Sequence, residues 1–130
     1  MPRREPRAFL YDISVACARI DAFTHGIDLE RYRGDALIRS AVERQFEIIG
    51  EALNRLSQSD PELAGRITSV SRIVAFRNRL IHGYATVSDD VVWGVIESSL
   101  PLLEDEIAGL LLELRGDGCE PAEGDGGAER

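Results

Sequence analysis

Residues 35–56, DALIRSAVERQFEIIGEALNRL, decide how the rest of the chain is read. Leu37, Ala41, Gln45, Ile48, Ile49, Ala52, Leu53 and Leu56 recur at the three-and-four spacing of one helix face. Asp35 is a good N-cap type, so the pattern predicts a helix from there to Leu56. Glu43, Glu47 and Glu51 recur every four residues on another side. Such a stripe is either a solvated face or an acidic flank beside a cleft or a partner.

The same rhythm continues on both sides. Upstream, Leu10, Ile13, Ala16, Cys17, Ile20, Phe23 and Ile27 predict a first helix, with Gly26 loosening its end. A short polar connection, Asp28 to Gly34, follows it. Downstream, Ser57 to Gly65 is punctuation, in which Pro61 permits a single helical turn. A third helix is expected from about Ser69, with Val70, Ile73, Val74, Leu80 and Ile81 as its apolar residues. Ser88-Asp89-Asp90 offers a cap and negative charge to the start of a fourth. Val92, Ile96, Leu100, Leu103, Ile107, Leu110 and Leu114 form its stripe, Trp93 is expected in the core, and Pro101 should bend it. Strand alternation, a Gly-rich phosphate loop and internal repeats are all missing from the sequence.

The expected fold is therefore all-α, an up-and-down four-helix bundle over residues 1–115. The second and fourth helices carry more apolar surface than one buried stripe needs, which points to a dimer. Residues 116–130 are Gly, Pro, Ala and acid and read as a disordered tail. Five acids against Arg130 give that tail half of the net charge of -8.

An acidic chain is not a general electrostatic binder of nucleic acid, though it can hold a local basic site. All 15 cations are arginine, each a planar, permanently charged fork suited to phosphate. Cys17 reads as a core thiol and Cys119 as an exposed one. No Cys or His spacing suits a metal, so no metal or other cofactor is expected. The N-terminus has no apolar signal core and no segment is long enough to span a bilayer, so a cytoplasmic protein without membrane contact is expected.

Chemistry concentrates in Arg77-Asn78-Arg79-Leu80-Ile81-His82-Gly83-Tyr84. Asn78 and His82 stand four apart and share a helix face, whereas Arg77 and His82 point about 140° apart. Within one regular helix these two cannot stack. Either the backbone turns at Gly83, a usual C′ residue type, or a second copy of the helix completes the site across a two-fold axis. Histidine suits a step that both takes and gives protons near neutral pH. A plain structural hydrogen bond is the competing reading of Arg77 and His82, and simple packing that of Tyr84. Arg79 reads as a phosphate or solvent contact.

Arg77-x4-His82-x-Tyr84 resembles the Arg-x4-His-x-Tyr motif of HepT-like toxins in the HEPN superfamily. Ile48-Ile49-Gly50-Glu51-Ala52, Val92-Trp93 and Leu100-Pro101-Leu102 resemble further blocks of that family, in order, over roughly residues 8 to 112. The Pro-Trp pair that members often carry before the third helix has no counterpart between Leu63 and Val70. The resemblance implies a metal-independent RNA endonuclease that acts as a homodimer. His82 would activate a ribose 2′-hydroxyl, Arg77 would stabilise charge on the phosphoryl oxygens, and Asn78 and Arg79 would support them. It further implies a toxin–antitoxin pair in which an MNT-type nucleotidyltransferase antitoxin places AMP on Tyr84. The alternative is a non-catalytic HEPN module that binds a nucleotidyltransferase or a nucleotide.

Overall fold

A computed structural model of the chain describes residues 5–82 and 87–116. Among these residues all the regular secondary structure is helical. The elements are α1 (Pro6–Thr24), α2 (Leu29–Arg33), α3 (Ala36–Ser59), α4 (Pro61–Ala64), α5 (Val70–His82), α6 (Asp89–Gly94) and α7 (Leu100–Gly116). A π-helical turn, Val95–Ser99, joins the last two. The expected tail, with Cys119, lies outside the described residues, as does Tyr84. No described helix is long and apolar enough to cross a membrane.

α3 is the central element, packed on α1 along one side and on α5 along another, while α7 closes against α1. Asp35 caps α3 by accepting from the Ile38 N–H at 3.1 Å. Its buried residues, Val42, Gln45, Phe46, Ile49, Ala52, Leu53 and Leu56, meet Leu10, Ile13, Cys17 and Ile20 of α1. Phe76 of α5 stands edge-on to Phe46, ring centres 5.2 Å apart. Leu100, Leu103 and Ile107 of α7 complete the core. Burial pushes the Cys17 thiol up to about 12, aided by the charges of Glu104 and Asp21. That suits an inert core thiol.

Several local expectations need correction. The connection after α1 is itself helical over Leu29–Arg33, because Asp28 caps it, accepting from the Arg31 N–H at 2.9 Å. It also buries Tyr32, whose ring lies 5.4 Å from that of Trp93. α1 ends at Thr24, short of Ile27, where the Thr24 hydroxyl donates back to the Ile20 carbonyl and Gly26 takes a φ of 75°. Leu37 is 80% exposed instead of buried, since its place at the start of α3 carries it past the end of the core. Trp93 is half-buried at the core's edge. Near Pro101 the helix changes winding: the Leu100 N–H reaches back five residues to Val95, just before the proline, which has no N–H to give Glu97.

The start of α5 is tied to α7. The backbone N–H and hydroxyl of Thr68 donate to the Glu106 carboxylate at 3.0 and 2.6 Å. Arg66 pairs with Glu113 at 2.7 Å. These contacts fix where the chemistry-bearing helix begins.

Candidate functional site

α5 is one continuous α-helix from Val70 to His82. It therefore carries Arg77, Asn78, Arg79 and His82 at regular angular steps. Ile73 and Phe76 turn into the core, Arg77 and Asn78 are half-buried, and Arg79 and His82 are exposed. The angular separation of about 140° between Arg77 and His82 follows from that regularity. The helix reaches its described end at His82, and Gly83 and Tyr84 lie beyond the described residues.

Arg77 points at α3. Its guanidinium donates to Glu51 Oε1, and its other terminal nitrogen donates to Asn78 Oδ1 at 2.6 Å. The Arg77 side chain is only 14% exposed while that of Glu51 is 44% exposed, so the pair is shielded from solvent on the Arg77 side alone. Glu51 holds a second cation: Arg55 Nε lies 2.6 Å from Oε2. Hydrogen bonding from Arg55, then the charges of Arg77 and Arg55, hold the Glu51 carboxyl below the usual carboxylate range, partly offset by desolvation.

Gly50 makes this contact possible. A Cβ at that position would overlap the Cβ of Arg77 and lie 2.6 Å from its Cγ. Glycine within a helix costs roughly 1 kcal/mol relative to alanine. Here the missing side chain is the space that the Arg77 stem occupies.

The acidic stripe of α3 thus divides. Glu51 serves Arg77 and Arg55. Glu47 pairs with Arg44 at 3.4 Å. Glu43 is partly buried, and desolvation, then Asp89 and Glu47, raise its pKa. In the sequence Glu51 stands in that stripe and in a family-like segment, with nothing along the helix to tie it to Arg77. The one available signal was its position next to a glycine in an unbroken helix.

A groove of about 270 Å³ runs between α1 and α3. Phe9, Ile48 and Ala52 form its apolar part, with Asp12, Arg44, Glu47, Glu51 and Arg55 around them. Glu51 belongs to both the groove and the Arg77 contact. No group of three or more potential metal ligands occurs among the described residues.

The family described as Ribonuclease HepT-like matches residues 13–110. The chain belongs to this HepT-like ribonuclease family. A Methanocaldococcus jannaschii protein named "Putative RNase" is 32% identical over 107 residues, 82% of this chain and 97% of that protein. The "Probable ribonuclease HepT" of Thermococcus cleftensis is 32% identical over 106 residues, 78% of this chain and 92% of its own length. No solved structure matches the chain.

Proposed function

We propose that this HepT-like chain is the toxin of a toxin–antitoxin pair, a cytoplasmic endoribonuclease that works without a metal. The observation that carries the reading is the Arg77 guanidinium, held half-buried by Glu51 and Asn78, on the same helix as an exposed His82.

His82 takes the proton of a ribose 2′-hydroxyl. The 2′-oxygen then bonds to the adjacent phosphorus, the bond from phosphorus to the 5′-oxygen breaks, and the His82 imidazolium gives its proton to the leaving 5′-oxygen. Arg77 faces the negative charge that builds on the phosphoryl oxygens. Asn78, which accepts from Arg77 and shares a face with His82, links the two. Arg79 supplies a further exposed phosphate contact.

The angular separation on α5 favours a site completed by a second copy, on an up-and-down bundle of four long helices. Exposed Leu37 and Leu112 supply apolar surface for such a partner. Control is exerted at Tyr84: its hydroxyl attacks the α-phosphorus of ATP on an MNT-type nucleotidyltransferase, releasing pyrophosphate. The added phosphate charge repels RNA beside the cleft.

The test is cleavage of RNA by protein expressed without the transferase, its Tyr84 shown unmodified by intact mass. Arg77→Ala and His82→Ala should each lower kcat by about 100-fold or more, and a chelator should change nothing. Wild type that cleaves no better than His82→Ala sinks the proposal. The net charge of -8 favours one second reading, a non-catalytic module for a nucleotidyltransferase or nucleotide. It predicts a complex with the transferase that survives both substitutions, and no toxicity on expression alone.

A further inference from the structure

We infer that Glu51 is the positioning residue of the site, the group that aims Arg77 at the reacting phosphate. This rests on the ribonuclease reading and deepens it. Arginine has five N–H donors in a planar fork. One terminal nitrogen of Arg77 donates to Glu51 across the α3–α5 contact, and the other to Asn78 on its own helix. The guanidinium is gripped at two points, so its plane is set before any substrate arrives.

Glu51 is itself anchored. Its Oε1 receives Arg77 and its Oε2 receives Arg55. The carboxylate cannot rotate about its last torsion without losing one partner or the other. Arg55 is exposed and hydrogen-bonds Glu51 through Nε, which makes it the outer stay of the assembly. Gly50, one residue earlier, lets the stem of Arg77 lie against α3. Neighbouring positions of one helix therefore supply both the space for Arg77 and the charge that directs it.

Two opposite effects follow, and they separate in kinetics. The carboxylate neutralises part of the guanidinium's charge, which weakens its long-range attraction for RNA. It also removes the rotational freedom that a long side chain would otherwise lose in the transition state. Glu51→Gln should therefore lower kcat by roughly 10- to 100-fold while KM falls a few-fold. Loss of folded protein alone would lower the apparent kcat and leave KM where it was. A fall in KM is thus the signature of the released charge.

The experiment measures kcat, KM and thermal midpoint for wild type, Glu51→Gln and Glu51→Asp on a single-stranded RNA oligonucleotide, with unmodified Tyr84. Reduced kcat and lowered KM in Glu51→Gln support the inference. Glu51→Asp keeps the charge but withdraws the carboxylate by one methylene, and it carries the test if Glu51→Gln does not fold. It should lose kcat at a wild-type thermal midpoint, without a rise in KM. Wild-type kcat in a folded variant, or a loss confined to KM, overturns the inference and leaves the ribonuclease reading intact. An inactive wild type, indistinguishable from His82→Ala, removes that reading and this inference with it.

Discussion

Gly50 and Arg77 set the finest scale at which the site depends on this fold. The stem of Arg77 fills the space where a Gly50 side chain would stand. Gly50→Ala would raise the intrinsic helix propensity of α3, yet the clash falls on the Cβ and Cγ of Arg77 and not on a flexible tip. Separation of α3 from α5 is the expected response. The variant should lose about 1–3 kcal/mol in denaturant unfolding and most of its RNA cleavage. A variant as stable and as active as wild type would show that Arg77 does not need this seat. From the sequence Gly50 read as one member of a family-like segment. What it makes room for depends on which residue faces it from α5, and that partner is 27 positions away.

At the scale of elements, two carboxyl groups respond to pH in opposite senses. Asp21 of α1 and Glu104 of α7 share a hydrogen bond. Desolvation first, then that bond and the charges of Asp21 and Asp105, push Glu104 up to about 8. Because the folded state holds this proton more tightly than the unfolded chain, the contribution to stability is complete below the ordinary glutamate value of 4.5. It is lost as pH rises towards about 8. Glu104→Gln should therefore be more stable than wild type at alkaline pH, by on the order of 1 kcal/mol for a partly solvated pair. Melting curves at acidic and alkaline pH check this, and a difference that does not vary with pH would refute it. Glu51 behaves conversely: its lowered pKa contributes above the ordinary carboxylate range and is lost on acidification. The caps are a separate matter. Asp35→Ala removes the acceptor of the Ile38 N–H and should cost about 1 kcal/mol in thermal or chemical unfolding. Asp35 was legible because a cap is local chemistry. Helix α2 was not, although Asp28 caps it, because five residues are too few to hold a helix alone and rely on Tyr32 burying itself against Trp93, 61 positions on.

The whole molecule raises the question of how Arg77 and His82 act together. A site shared across the proposed two-fold predicts complementation. In a mixture of inactive Arg77→Ala and His82→Ala chains, each mixed dimer keeps one intact pair, so about a quarter of wild-type activity should return. A mixture as inactive as its components would place both residues of each site in one chain. The sequence by itself determined the helical class, the Asp35 and Ser88 caps and the crowding of polar chemistry into residues 77–84, since periodicity, capping and composition are local properties. Only the tertiary structure decided which acid of the α3 stripe meets Arg77. It also decided that Gly50 is a docking seat, that Leu37 faces solvent, and that the chain rewinds just before Pro101. The Glu51 and Gly50 contacts depend on what α5 places opposite them, Leu37 on where the core ends, and the rewinding on how the backbone accommodates a residue without an N–H; the spacing of apolar residues along one helix records none of these.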